Sequence, residues 1–91
     1  MEKLYARFNH PTWGYSGQGQ EAIKSGLVVG ERYEVDLVNM GQSSTTVHLK
    51  GYHGVFNSVL FDFEDEDKSE HDIFRDKKYN PFIEVFKEGA L

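Results

Sequence analysis

The 91-residue chain predicts a mainly β fold: a small barrel on a three-stranded antiparallel meander, with one or two short helices. Two observations carry this. Three central segments alternate apolar and polar residues with a period of two. The last of them is apolar on both faces where it begins, as in a sheet that curls over itself and buries both sides. Closure would also protect the sheet edges. The length corresponds to a single domain, 1–91.

The elements follow in order. Leu4, Ala6 and Phe8 alternate with Tyr5 and Arg7, so a first strand ends before Asn9-His10-Pro11. A glycine-rich aromatic loop follows, Thr12-Trp13-Gly14-Tyr15-Ser16-Gly17-Gln18-Gly19. A short helix over 18–25 comes next, with Lys24 in its last turn and Gly26 as its stop. In 31–38, Tyr33, Val35 and Leu37 oppose Arg32, Glu34 and Asp36; in 44–50, Thr45, Val47 and Leu49 oppose Thr46, His48 and Lys50. In 55–64, Val55, Val59, Phe61 and Phe63 share a face with Asn57, while Phe56, Ser58 and Leu60 lie on the other before it turns acidic.

These registers place Leu37 near Thr45 or Val47, and Leu49 near Val55. The intervening loops are then odd in length, with Gly41, Gly51 and Gly54 available for a positive φ. The expected core is Phe8, Tyr33, Val35, Leu37, Val47, Leu49, Val59, Phe61 and Phe63. Asn57, the polar residue among them, is expected to hydrogen-bond backbone where its strand bends. In the tail, 71–79 reads as irregular. Asn80-Pro81 is a helix start, with Phe82, Val85 and Phe86 on one helical face, although the same residues also fit a strand.

Charge is uneven. The net charge is -5, and residues 61–91 carry all of it, with ten acids and five bases. Asp62, Glu64, Asp65, Glu66 and Asp67 form the densest acidic surface, which disfavours direct nucleic-acid binding because such affinity comes from Lys and Arg. The run is either a solvated turn or a face for a basic partner. The absence of cysteine removes disulfides and thiolate sites and fits a cytoplasmic protein. No apolar run approaches membrane-spanning length, and Met1-Glu2-Lys3-Leu4 offers no signal-peptide core.

Motifs for chemistry fail on spacing. Gly17-Gln18-Gly19-Gln20-Glu21-Ala22 matches a dinucleotide fingerprint, but an antiparallel meander follows where a parallel crossover is required. Lys24-Ser25 lacks the glycines of a phosphate loop. Calcium loops begun at Asp62 or Asp65 carry Asp67 or Glu70 where glycine must make the sharp turn. His10, His48, His53 and His71 have no metal-ligand spacing. His48 is expected on an outer face, opposite Glu34 or Asp36. Ser58, His48 and Asp36 make a triad only on paper, because no nucleophile elbow supports it.

Trp13 and Tyr15 in a loop, and Tyr52 and His53 at a hairpin tip, are the candidate binding residues together with His48. Aromatic side chains displayed on loops are frequent anchors, although each of these can instead fold down as a lid on the core.

The segments Leu27-Val28-Val29-Gly30-Glu31-Arg32-Tyr33-Glu34-Val35, Met40-Gly41-Gln42-Ser43-Ser44-Thr45 and Phe56-Asn57-Ser58-Val59-Leu60-Phe61 resemble small uncharacterised proteins of Gram-positive bacteria and their prophages. Tyr79-Asn80-Pro81-Phe82 adds a further similarity in the tail. The pattern L-x-x-G-x-x-Y-x-V entering a meander also resembles the first strands of SH3-like barrels. The resemblance implies an SH3-like barrel and a mobile-element setting, and it implies no activity.

The expected function is a small non-enzymatic binding module, a phage or mobile-element accessory protein that docks onto a protein partner. The alternative is an acidic nucleic-acid mimic that occupies a nucleic-acid-binding protein. A third reading is small-ligand binding or catalysis. The protein is expected to be a monomer or weak dimer, without a cofactor or a membrane.

Overall fold

The computed structural model describes residues 3–41 and 43–81. Five strands, β1 (Tyr5–Arg7), β2 (Arg32–Met40), β3 (Thr45–Leu49), β4 (Phe56–Asn57) and β5 (Asp62–Glu64), form one antiparallel sheet in the order β4-β3-β2-β1-β5. One α-helix is found among the described residues, α1 (Gln18–Lys24), between β1 and β2, and 3-10 turns cover Ser58–Leu60 and Ile73–Arg75. The meander β2-β3-β4 is present. The sheet is not closed, since β4 and β5 stand at its opposite ends.

The third expected strand is a correction. Residues 55–64 do not run as one strand, because the turn Ser58–Leu60 breaks them into β4 and β5. That turn changes the phase of burial: Phe56, Ser58 and Leu60 are buried, and so are Phe61 and Phe63. Val59, expected in the core, is 44% exposed, and Val55 is exposed as well. Val47 pairs with Phe56, so Val55 does not lie beside Leu49. Asn57 does serve backbone at the bend. Its Oδ1 accepts from the Val59 N–H at 3.2 Å and caps the turn, and its Nδ2 donates to Gln18 Oε1 at 3.1 Å.

A second correction concerns β2. Val35 pairs with Leu49 and Leu37 with His48, so Asp36 is an extra residue in β2, a bulge. Beyond it the alternation reverses. Val38 and Met40 pack against the core, opposite Val47 and Thr45, while Leu37 is 56% exposed. The N-terminal part of β2 pairs with β1 and the part beyond the bulge only with β3, so the bulge lies where the strand changes partner. Gly51 and Gly54 take the expected positive φ, but Gly41 does not.

The helix forms as its sequence directs. Its C-terminus closes with Gly26 at φ 106°, the Gly26 N–H on the Ile23 carbonyl and the Leu27 N–H on that of Ala22. This glycine-dependent cap points the apolar Leu27 inward, where it is buried. Two small residues let the helix approach closely. Ala22 is fully buried, and Gly19 packs against the Pro11 backbone so tightly that a Cβ would lie 1.6 Å from its carbonyl oxygen.

Phe61 centres the core, with Phe8 at 5.6 Å and Phe56 and Phe63 each at 6.3 Å between ring centroids. Leu4, Ala6, Val47, Leu49, Leu60 and Ile73, with Ala22 and Leu27, complete the buried set. Phe82, Val85 and Phe86 lie outside the described residues.

Two substitutions separate the observed core from the expected one. Val47→Ala empties a fully buried site and should cost about 2 kcal/mol, whereas Leu37→Ala should cost less than about 0.5 kcal/mol, both read by urea denaturation. Gly19→Ala drives a methyl group into backbone and should cost about 1–3 kcal/mol or more in the same measurement.

Candidate functional site

The loop that leaves β1 is held at several points. The His10 N–H donates to the Leu60 carbonyl at 3.0 Å and the Trp13 N–H to that of His10 at 3.1 Å. The Tyr15 N–H donates to Gln18 Oε1 at 2.8 Å, the same oxygen that receives Asn57. The side chains are fixed as well. Asp62 Oδ1 lies 2.8 Å from His10 Nε2, and Asp62 Oδ2 accepts from Asn9 Nδ2 at 2.8 Å. The His10 ring stacks flat on Trp13, at 3.6 Å between centroids and 15° between planes. One face of the indole is thus covered by a pinned imidazole, yet Trp13 remains 63% exposed. Tyr15, at 75%, stands in solvent beside α1.

The hairpin tip behaves differently. Tyr52 packs against the core and meets Tyr33 edge to face at 5.4 Å, and Tyr33 Oη in turn accepts from the Val28 N–H at 2.7 Å. Tyr52 is therefore a lid residue. His53 is exposed and borders a groove of about 220 Å³ between α1 and residues 53–57. Val55 and the edge of Phe56 contribute apolar surface there, over buried Ala22 and Leu60, while Gln18, Glu21, Ser25 and Asn57 contribute polar groups. Glu21 makes no side-chain hydrogen bond or ion pair with any described residue.

Helix α1 thus links most of the residues singled out in the sequence. Trp13 and Tyr15 precede its N-terminus, Tyr52 touches the Gly26 end, and His53 shares the groove beside it. His48 is set apart: it lies in β3 opposite Leu37, not opposite Glu34 or Asp36, and bonds to neither. No hydrogen bond joins Ser58, His48 and Asp36. Among the described residues no three His, Asp or Glu side chains converge as a metal centre. No helix among them is long and apolar enough to cross a membrane.

Most of the acidic run is engaged within the molecule. Glu64 is the most deeply held. Its Oε2 accepts from Arg7 Nε at 2.8 Å, and its Oε1 from Arg32 Nε at 3.0 Å and Arg7 Nη2 at 3.2 Å. Arg32 also donates to the Asp65 carbonyl and lies 3.7 Å over the Tyr5 ring, while Arg7 reaches the Gly30 carbonyl. Asp65 Oδ1 accepts the N–H groups of Asp67 and Ser69, an aspartate turn. Glu66 accepts the Lys3 N–H. Asp67 stays in solvent.

These contacts hold carboxyl groups below their ordinary ionisation range. For Glu64 the chief cause is the Arg7 hydrogen bond. For Asp62 burial pushes upward, and hydrogen bonds from Asn9 and His10 outweigh it. For Asp76 the leading cause is the Lys78 N–H, reinforced by His71 at 2.8 Å.

The sequence did not single out Asn9, Gln18 or Glu21 for a site, and it treated His10 only as a candidate metal ligand. Their common signal is that each lies in or beside the glycine-rich aromatic loop, whose anchoring becomes visible only with Asp62 and Asn57 brought beside it.

Residues 3–85 match the family described as Bacteriophage T4 protein Y07B. The chain belongs to that family. The phage part of the sequence resemblance is thereby established. No curated protein and no solved structure matches the chain. Within this Y07B-family chain, Glu64 ties β5 to β1 and β2, and Asp62 of the same strand places the loop's aromatic surface.

Acid titration tests that linkage. A carboxyl group whose folded pKa is depressed stabilises the protein above its unfolded pKa and loses that contribution as pH falls through the folded value. Stability should therefore be flat above about pH 5 and decline below the ordinary glutamate value of 4.5. Glu64→Gln should lower stability at neutral pH and flatten this acid limb, as read by thermal melts across the pH range. An unchanged acid limb would assign the stability to other groups.

Proposed function

We propose that this Y07B-family protein is a non-enzymatic docking module, an accessory protein of a phage, that engages a protein partner through Trp13 and Tyr15. The observation that carries the reading is the Trp13 indole: largely exposed, yet held flat on His10 by the Asp62–Asn9 bracket. A large aromatic ring fixed before binding brings contact area with little entropy left to lose, which favours an interface anchor.

The fold also fits an SH3-like barrel. A meander whose last strand passes through a 3-10 turn to a strand paired with the first is the connectivity such a barrel needs, with the sheet curled but its ends unpaired. The absence of cysteine suits work in the host cytoplasm, and the net charge of -5 disfavours direct nucleic-acid contact. A decoy role for the acidic run has less support, because Asp62 and Glu64 spend their oxygens on internal partners and leave few carboxylates for a basic groove.

The test is capture of partners from phage-infected host cells on the immobilised protein, at low and high salt. An aromatic-anchored partner should persist at high salt and lose about 30-fold or more in affinity with Trp13→Ala, at an unchanged melting temperature. A partner retained by Trp13→Ala, but lost at moderate salt and on Asp67→Lys, would replace this reading with the decoy.

A further inference from the structure

We propose that the groove between α1 and residues 53–57 receives one long basic side chain, lysine or arginine, from the docking partner. The inference rests on the docking reading and names the chemistry of the partner. Size comes first. About 220 Å³ is below the roughly 300–1,000 Å³ of small-molecule and cofactor pockets, and it suits a single inserted side chain.

The lining then selects the kind of side chain. Val55, half exposed at the groove, and the edge of Phe56 offer apolar surface for a methylene stem, with buried Ala22 and Leu60 beneath them. Among the described residues, Glu21 is the one acidic residue in the lining, its carboxylate is unengaged, and no Lys or Arg lines the groove. His53 and Ser25 add polar atoms at the same site. His53 is the other titratable group there; its neutral ring accepts an N–H, and its protonated ring opposes a cation. A side chain with an apolar stem and a cationic end matches this lining, just as lysine and arginine elsewhere lay their stems on apolar surface and keep their heads polar. The overall charge of -5 favours approach of such a group.

The alternatives match less well. A purely apolar side chain would remove water from the Glu21 carboxylate without replacing its hydrogen bonds, which is unfavourable. An acidic side chain would meet a like charge.

The experiment is an amide NMR titration of the full chain with Nα-acetyl-lysine methylamide and Nα-acetyl-arginine methylamide. Their uncharged counterparts, built on norleucine and citrulline, serve as controls. Saturable shifts are expected at residues 21–25 and 53–57 for the cationic probes, with affinity at least about threefold weaker for the uncharged ones and in Glu21→Gln. Glu21 is exposed and caps nothing with its side chain, so this variant should fold normally.

Trp13→Ala should leave the probe titration unchanged, since Trp13 does not line the groove. Equal shifts from norleucine or citrulline, equal affinity in Glu21→Gln, or no saturable shift would each overturn the proposal. Partner capture that survives Glu21→Gln unchanged but is lost with Trp13→Ala would leave the docking reading standing and remove this one. Weakened probe binding in Glu21→Gln, with capture insensitive to Trp13→Ala, would do the reverse.

Discussion

The structure turns on the short path the chain takes from β4 to β5. Those strands end the sheet on opposite sides, with β3, β2 and β1 between them. In a flat sheet, four strand spacings would separate them by about 19 Å. From Asn57 to Asp62 the chain has only five residue steps, three of them in a 3-10 turn, and reaches at most about 13 Å. The sheet must therefore curl until its two ends approach. The Asp36 bulge fits that requirement, because bulges bend a strand and raise its twist, and this one lies where β2 passes from β1 to β3. Phe61, the residue that leaves the turn, then falls among Phe8, Phe56 and Phe63 and fills the hollow of the curl.

The same crossing explains the use of charge. Bringing β5 beside β1 sets Glu64 near Arg7 and Arg32, where one half-hidden carboxylate engages two guanidinium groups at 2.8 and 3.0 Å. Such bonds are stronger than those between neutral groups and specify orientation as well as proximity. At the other end of the strand, Asp62 binds Asn9 and His10 and so fixes the start of the loop. An acidic run that looks like a solvated surface in one dimension becomes, once folded, a set of internal connectors with only its far end free.

Much of this was legible in the sequence, and the failures have definite causes. The helix was legible because its stop is local: Gly26 supplies a backbone angle that other residues resist. The strand β1 and the central β2–β3 pair were legible because alternation is also local. The fate of Leu37 was not, because a bulge reverses the alternation; the adjacent apolar pair Leu37-Val38, followed by Met40, is the faint trace of it. The break at Ser58–Leu60 was hidden for a similar reason. Apolar residues on both faces of 55–64 suggested a doubly buried strand, when they record a turn after which the buried phase resumes one residue later. The loop's exposed aromatics were anticipated, but the stack of His10 on Trp13 was not, since it depends on Asp62 arriving from 52 residues away.

What remains is why the candidate surfaces gather about α1. In a domain this small, the sheet, its crossing and the seat of α1 account for the buried apolar side chains. Surface concavity can then arise where an added element meets the sheet. α1 is such an element, and the small residues Gly19 and Ala22 draw it close while Gln18 joins its first turn to Asn57. The contact leaves a groove on the side toward 53–57 and an upright aromatic loop at the helix start. Both features descend from one packing contact, the seating of α1. A substitution that lifts the helix, as a methyl group on Gly19 would, must therefore disturb the groove and the Trp13 platform together, which are also joined by the His10 N–H on the Leu60 carbonyl.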